Sequence, residues 1–400
     1  MVNDEALHSP SGIYIHVPFC KGKCNYCHFY SINSLELIPQ YIQALHDEIS
    51  LCSTSPFTPA LASGGEETPD TFDTIYFGGG TPSLLGVRHF ETILKTVESH
   101  FKIAADAEIT VELNPADRDL TWYKTLKPLG INRLNIGIQS FDDPVLRFLG
   151  RRHMAADAVA AIEMAVRAGF DNIGLDLIYG IPGQDLASWQ RTLEKALSFR
   201  PAHLSCYELS VEEGTPLARR YLNGDFSLPD ENRQWDFFSR TSKYLEKFGY
   251  IHYEVSNFAR GTSRISRHNR KYWDHGSYLG LGPAAHSFYH DTRWWNHDSV
   301  EMYLQALKSG RRPIAASELL NPEQLRMETI FLGLRTRKGI NLNAFQNRYD
   351  LDLLTVNPDI LGDLIKEGFL FTQNGRLQPT LKGLAVADRL AIMFLEDKKI

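Results

Sequence analysis

The stretch GIYIHVPFCKGKCNYCHFY, residues 12–30, gives the strongest indication of what this chain folds into and binds. An alternating apolar run over residues 13–17 predicts a β-strand. Directly after it come Cys20, Cys24 and Cys27 in a Cys-x3-Cys-x2-Cys spacing, and we call these three residues the cluster cysteines. Three thiolates on one loop can converge on one inorganic centre, and thiolate is the preferred ligand of iron–sulfur clusters and zinc. In a four-iron cluster, three cysteines would leave one iron open to bind a small molecule.

Two other interpretations of the cluster cysteines are open at this point. A structural zinc site would take His16 or His28 as its fourth ligand. Cys24 and Cys27 alone form the Cys-x-x-Cys spacing of a redox pair. Zinc sites more often combine two short cysteine knuckles that lie far apart in sequence, and this chain has no second knuckle. The spacing therefore favours the iron–sulfur cluster.

The composition is that of an ordinary globular protein, with 43% hydrophobic and 22% charged residues in a chain of 400. The net charge of −6 and the absence of a dense basic run argue against nucleic-acid binding. No apolar run approaches the length of about 18 residues that spans a membrane, so we expect at most transient membrane association. The N-terminal residues lack a signal-peptide pattern, and five cysteines make no disulfide framework, so we predict a cytoplasmic protein.

Strand and helix patterns alternate through the first half of the chain. Such alternation predicts parallel strands joined by crossover helices, in a full or partial barrel or an open sheet, with ligands at the carboxyl ends of the strands. The predicted strands are residues 13–17, 74–77, 108–113, 133–138, 172–178 and 203–209. Residues 53–71 are rich in Ser, Thr, Pro and Gly and predict an exposed insertion, and residues 266–287 predict a polar connection.

The chain divides into three predicted parts. Residues 1–210 form the α/β core, residues 211–320 an extension of it, and residues 321–400 a small, mostly helical domain of winged-helix type with one strand pair near residues 370–377.

Polar residues follow strand after strand. A Gly-Gly-Gly-Thr-Pro run over residues 78–82 follows the second strand, Glu112 and Asn114 follow the third, and Gln139 ends the fourth. Asp176 lies in the fifth strand, and Arg151 follows the fourth strand by about a dozen residues. Each of these alone is common as a cap or a surface ion pair. A barrel would aim them at one mouth, where an acid, an amide and a cation can hold a zwitterionic nucleoside.

The ordered set YIHVPFC, the cluster cysteines, GGGTP, VELNP, GIQSF, GRRH and DLIYGIPGQ resembles the radical S-adenosylmethionine (SAM) superfamily over nearly the whole chain. Within that superfamily the chain is most similar to the heme-chaperone branch of the coproporphyrinogen dehydrogenase group. The resemblance implies a partial (β/α)6 barrel with the appended C-terminal domain.

The resemblance also implies the cofactors and their contacts. The cluster cysteines would ligate a [4Fe-4S] cluster, whose open iron takes the amino and carboxylate groups of SAM. Reduction of the cluster would cleave SAM to methionine and a 5′-deoxyadenosyl radical. The residues that correspond to family contacts with SAM are Tyr14, Tyr26, Gly80, Thr81, Glu112, Gln139, Arg151 and Asp176.

Two departures separate the chain from the decarboxylating oxidase of the same group. Phe29 stands where that oxidase has a fourth cysteine, and only 19 residues precede Cys20. HNRKYW, residues 268–273, matches the HNxxYW motif of the heme-chaperone branch. The resemblance makes His268 a candidate axial ligand of heme, because imidazole commonly ligates heme iron. The alternative for His268 is a hydrogen-bonded loop histidine.

Two functions therefore compete. The first is a heme chaperone that binds heme, a [4Fe-4S] cluster and SAM, and delivers heme to acceptor proteins such as respiratory hemoproteins. The second is an oxygen-independent coproporphyrinogen III oxidase, which converts two propionates to vinyls. The sequence leaves open whether the protein is an enzyme, whether SAM is cleaved, which acceptor it serves and whether it forms a homodimer.

Overall fold

Six parallel strands, side by side in chain order, form the centre of a twelve-stranded sheet. The structure is a computed structural model that describes residues 10–53 and 71–393, so nearly all of the predicted insertion lies outside the described residues, as does the segment before Pro10. All six predicted strands are confirmed, and the third begins five residues earlier than expected. The strands are β1 (Ser11–Val17), β2 (Phe72–Gly79), β3 (Ile103–Leu113), β4 (Arg133–Gln139), β5 (Ile173–Tyr179) and β6 (His203–Glu208).

Helices connect these strands and cover the outer face of the sheet. Pro39 lies in the first turn of the first helix, where its missing N–H breaks no intrahelical hydrogen bond. The helices of this half are α1 (Ile38–Cys52), α2 (Val87–His100), α3 (Leu120–Leu126), α4 (Asp143–Phe148), α5 (Ala155–Arg167) and α6 (Leu186–Ser198).

The two faces of the curved sheet differ in chemistry. Alternate positions such as Ile13, Ile75 and Val111 belong to one large apolar core that also contains helix residues. The intervening positions carry polar side chains, and the register sets Tyr14 beside Tyr76 on the neighbouring strand. The inner face is therefore a polar lumen, which agrees with a partial barrel built to hold a polar ligand.

Six further strands extend the sheet at both edges. Tyr278–Leu281 runs parallel to β1, so the predicted connection over residues 266–287 is wrong in part: it contains a helix and this strand. Pairing with β1 stabilises a segment whose local sequence, rich in glycine, does not predict a strand. The added elements are α7 (Pro216–Leu222), α8 (Glu231–Lys247), β7 (Ile251–His252), β8 (Asn257–Ala259), α9 (Arg267–Trp273), β9 (Tyr278–Leu281), β10 (His286–Tyr289), β11 (Thr292–Asn296), α10 (Val300–Lys308) and β12 (Ile314–Leu319).

The C-terminal part has a hydrophobic cluster of its own, which includes Leu334, Phe345 and Leu364. It contains three paired strands, in the spatial order Ile340–Asn341, Arg376–Pro379 and Leu370–Gln373, so the expected strand pair gains a two-residue third member. No helix among the described residues is long and apolar enough to cross a membrane. The elements are α11 (Pro322–Leu334), β13 (Ile340–Asn341), α12 (Leu342–Tyr349), α13 (Pro358–Lys366), β14 (Leu370–Gln373), β15 (Arg376–Pro379), α14 (Leu381–Ala385) and α15 (Ala387–Met393).

Candidate cofactor site at the barrel mouth

The cluster cysteines lie on the loop that leaves β1 at the carboxyl end of the sheet. The Cys20 N–H donates to Ile32 O at 2.9 Å, which ties the start of the loop to its end. Cys20 is buried, with Sγ 3.2 Å from Thr81 Oγ1 of the glycine-rich loop after β2. Cys24 and Cys27 are half-buried, and burial raises the pKa of the Cys27 thiol above its ordinary value. A bound cation would offset this cost of ionising the Cys27 thiol.

Arg151 joins the cysteine loop to the strand ends. Its Nη1 lies 3.5 Å from Cys24 Sγ, while Nη2 donates to Asn114 Oδ1 at 2.5 Å and to Gly137 O at 2.7 Å. Burial opposes ionisation of this guanidinium, but Tyr26 and Cys24 raise the pKa of Arg151 above its ordinary value. A buried cation is thus held beside the thiols, where it stabilises negative charge.

The glycine-rich loop leaves no room for side chains. A Cβ on Gly78 would lie 3.0 Å from the rings of Tyr14 and Tyr76, and one on Gly80 would lie 2.7 Å from Phe19 O. Gly79 has φ +103°, a conformation that L side chains rarely adopt. The loop therefore lets the backbone approach the cysteine loop and the lumen closely.

Glu112 is the acid of the lumen. The Tyr76 hydroxyl donates to Glu112 Oε1 at 2.7 Å, and the Gly79 N–H also bonds to this carboxylate. Burial raises the pKa of Glu112 to about 7, against the opposing effect of the Tyr76 hydrogen bond. A cationic ligand in the lumen would lower this pKa again and bind the carboxylate.

Asp176 carries a buried carboxylate in the middle of β5, and the Ser205 and Asn135 side chains stabilise its charge. Asn135 Nδ2 donates to its Oδ2 at 2.7 Å, whereas Oδ1 is buried without a partner among the described residues. Burial raises the pKa of Asp176 as well. At the end of β4, Gln139 has φ +65°, a strained value for a residue other than glycine. An unpaired buried carboxylate oxygen and a strained residue at a strand end are both typical of a ligand site.

The structure thus brings most of the predicted residues to one end of the barrel. Thr81, Tyr26 and Arg151 contact the cluster cysteines or one another, and Tyr14 stacks on Tyr76 with ring centroids 6.2 Å apart. Among the described residues, no group of three or more His, Cys, Asp or Glu is arranged to hold a single metal ion.

His268 lies away from the mouth, inside the barrel. Its Nδ1 is 2.8 Å from Thr74 Oγ1, its Nε2 is 2.9 Å from the Tyr272 hydroxyl, and only 1% of the residue is exposed. Burial lowers the pKa of His268 to about 3, so the imidazole is neutral. Both ring nitrogens are hydrogen-bonded, so ligation of heme iron would require one of these bonds to break.

Three further residues line the lumen: Arg133 and Asn135, which sequence reasoning missed, and His16, which it considered only as a zinc ligand. His16 Nε2 lies 3.0 Å from Tyr30 O, Asn135 bonds Asp176, and the buried Arg133 leaves Nε and Nη1 without partners. The signal was available, because these residues occupy the same alternating positions of β1 and β4 as the predicted site residues. Strand ends alone do not identify these residues, whereas the alternation does.

Two family models match the chain. One described as "Radical SAM superfamily" matches residues 14–196, and one described as "HemN C-terminal domain" matches residues 320–386. The protein named heme chaperone HemW of Mycobacterium tuberculosis is 36% identical over 372 residues, which are 92% of each chain. Heme chaperone HemW of Lactococcus lactis is 31% identical over 98% of this chain and 99% of its own.

A solved structure shares the fold. It is described as coproporphyrinogen III oxidase (HemN) from Escherichia coli, a radical SAM enzyme, and superposes with a TM-score of 0.81 over 96% of this chain and 90% of that one. The identity is 24%, so this likeness is evidence of fold alone.

Proposed function

This chain belongs to the radical SAM superfamily and, within it, to the family of the heme chaperones named HemW, and on that basis we propose that it binds heme and delivers it to acceptor proteins. The observation that carries the proposal is near-complete alignment with relatives of that name at 36% and 31% identity. The acceptor, the oligomeric state and the predicted cytoplasmic location stay predictions. So does the division of the chain into residues 1–210, 211–320 and 321–400.

We place a [4Fe-4S] cluster on the cluster cysteines. Their donor chemistry fits it, since three thiols and no fourth cysteine share one loop. When bound, the cluster supplies an electron and an open iron for SAM. Thr81 and Arg151 would stabilise the ionised thiolates, because a hydroxyl and a guanidinium already lie 3.2 Å and 3.5 Å from two of the sulfurs.

We place SAM over the lumen, against Tyr14, Tyr26, Gly80, Glu112, Gln139 and Asp176. Glu112 would pair with a cationic group of the ligand, and the free oxygen of Asp176 would accept from a hydroxyl or an amino group. The glycine-rich loop supports this placement, since any Cβ there would fill the space beside the cysteine loop. The walls of the barrel would exclude water from the bound ligand.

The test is a heme titration of the purified protein with and without the reconstituted cluster. We expect a saturable Soret band at micromolar heme, and transfer of that heme to an added apo-hemoprotein. A protein that shows no saturable band would contradict the carrier role.

The oxidase hypothesis is tested in parallel by incubating the reconstituted protein with coproporphyrinogen, SAM and reductant under anaerobic conditions. Phe29, which is 68% exposed on the cysteine loop where the oxidase pattern has a cysteine, favours the carrier. Release of carbon dioxide with a vinyl product would establish the oxidase activity instead.

The sequence motif makes His268 the candidate axial ligand of heme. Heme iron could bind it only after one of its hydrogen bonds, to Thr74 or Tyr272, breaks and its burial is relieved, so its present environment suits another role better.

A further inference from the structure

We propose that the HNRKYW segment forms the floor of the cofactor barrel, and that His268 is a positioning residue that holds Tyr76, and through it Glu112, in place for SAM. This inference rests on the proposed placement of SAM in the lumen. It assigns the motif a role other than heme ligation, and it connects the C-terminal part of the chain to the cofactor site.

Helix α9 packs against β1, β2 and β3 on the side of the barrel away from the cluster cysteines. Lys271 Nζ lies 2.6 Å from Asp73 Oδ1, and Arg267 pairs with the other oxygen of Asp73 at 2.9 Å. The His268 N–H donates to Glu108 Oε1 of β3 at 3.2 Å. A Cβ on Gly12 of β1 would lie 3.0 Å from His268 Nδ1, so strand and helix are in close contact. This helix therefore closes the end of the barrel opposite the cluster cysteines.

The imidazole of His268 faces the lumen and not the solvent. Its ring stacks on Tyr76 with centroids 5.1 Å apart and planes at 24°, and on Tyr14 at 6.3 Å and 27°. The bonds to Thr74 and Tyr272 fix the rotation of the ring from both sides. A neutral imidazole can accept one of these bonds and donate the other, so both are satisfied together.

Tyr76 transmits this position to the acid of the site. Its hydroxyl donates to Glu112 Oε1 at 2.7 Å, and its ring stacks on the imidazole of His268. Without that imidazole the Tyr76 ring has space to shift away, and the carboxylate loses its shortest side-chain hydrogen bond. Glu112 would then lose its orientation, and the pKa of its carboxyl would rise further.

The far end of α9 contacts the C-terminal part of the chain. The Arg335 guanidinium lies 5.0 Å from the Trp273 ring centroid, and His275 Nε2 lies 3.2 Å from Glu328 of α11. One short helix thus touches the cofactor lumen through His268 and the C-terminal helices through Trp273.

The test compares SAM affinity, iron content and heme titration in cluster-reconstituted variants. His268→Ala and Tyr76→Phe should each weaken SAM binding by about tenfold, the effect of losing one hydrogen bond to a charged group. The double variant should match the single variants and not show about a hundredfold loss, because both changes break the same connection. Heme titration of His268→Ala should match the wild type. If His268→Ala does not fold, Tyr272→Phe removes only one bond to the ring and should weaken SAM binding in the same direction.

A matched control is available outside the lumen. Tyr303 donates to the buried Glu48 at 2.7 Å, the same length as the bond from Tyr76 to Glu112. Tyr303→Phe should lower stability comparably and leave SAM affinity unchanged. If Tyr303→Phe lost as much SAM affinity as the lumen variants, general destabilisation would explain the weaker binding in all of them. That result would overturn the inference.

Other outcomes separate the hypotheses. A changed Soret band in His268→Ala with normal SAM affinity would make His268 a heme ligand and overturn the positioning role. Additive losses in the double variant would show that His268 does not act through Tyr76. A wild-type protein that binds SAM but no heme would contradict the carrier role alone, and one that binds no SAM would overturn this inference as well.

Discussion

Replacing Gly80 with alanine should damage the cofactor site more than the fold. The added Cβ would lie 2.7 Å from Phe19 O, 2.9 Å from Val17 O and 3.0 Å from Phe19 N. All three atoms belong to the backbone that carries Cys20, so no side chain can rotate out of the way. The glycine-rich loop and the cysteine loop must therefore separate by about half an ångström or more, and overpacking of this kind costs about 1–3 kcal/mol.

We expect Gly80→Ala to reconstitute with less iron and to bind SAM at least about tenfold more weakly, since about 1.4 kcal/mol corresponds to a factor of ten. Iron and sulfide analysis and equilibrium dialysis of SAM measure the two effects, and a thermal melt of the cluster-free protein measures the fold. The apparent melting temperature should fall only slightly.

Gly362→Ala is the control for the substitution itself. Gly362 lies in α13, where a Cβ meets nothing within 4 Å, so alanine should stabilise this helix by up to about 1 kcal/mol and leave the cofactor site untouched. Wild-type iron content and SAM affinity in Gly80→Ala would refute the close packing of the two loops.

Three further predictions concern the site. Serine at each of the cluster cysteines should abolish the brown absorption of the reconstituted protein, whereas Cys52→Ser and Cys206→Ser should preserve it; a four-iron content in any cluster variant would exclude that residue as a ligand. Asp176→Ala should weaken SAM binding by about ten- to a hundredfold with normal iron content, since a buried bond to a charged group is worth about 1.5–3 kcal/mol; unchanged affinity in dialysis would remove Asp176 from the site. The raised pKa of Glu112, about 7 against an ordinary 4.5, means that the cofactor-free protein loses stability as pH rises through that window. Glu112→Gln should escape this loss, so its stability relative to the wild type should rise by up to about 3 kcal/mol between pH 4.5 and 7 and then level off. If thermal melts show a stability difference between variant and wild type that does not vary with pH, the burial of this acid is contradicted.

The parallel strands were predictable because their signal is local. Each is a short apolar run after a turn, and burial of one face against helices requires apolar residues at alternate positions wherever the run occurs. The residues at strand ends were predictable for the same reason, since all parallel strands end at one edge. Glu112 and Gln139 were predicted as candidates in this way, whereas Asp176 lies in the middle of β5.

The inner face of the barrel was harder to predict. Arg133 and Asn135 look like ordinary surface residues of a strand, and only closure of the sheet turns that surface into a lumen. Curvature depends on strand twist and on the pairing of β9 with β1, which involves residues more than 260 positions apart. No local window contains that information.

His268 shows the limit most clearly. It lies 92 positions after Asp176, the last of the predicted SAM contacts in sequence, which suggests a site independent of SAM, yet its ring stacks on Tyr76 and Tyr14. The sequence by itself determined the cysteine spacing, the succession of strands and the edge where the ligand groups gather, because each depends on residues close together in the chain. Only the tertiary structure decided that the HNRKYW segment lies beneath the polar lumen, because that position results from strand pairing and from ion pairs between distant segments, such as Lys271 with Asp73.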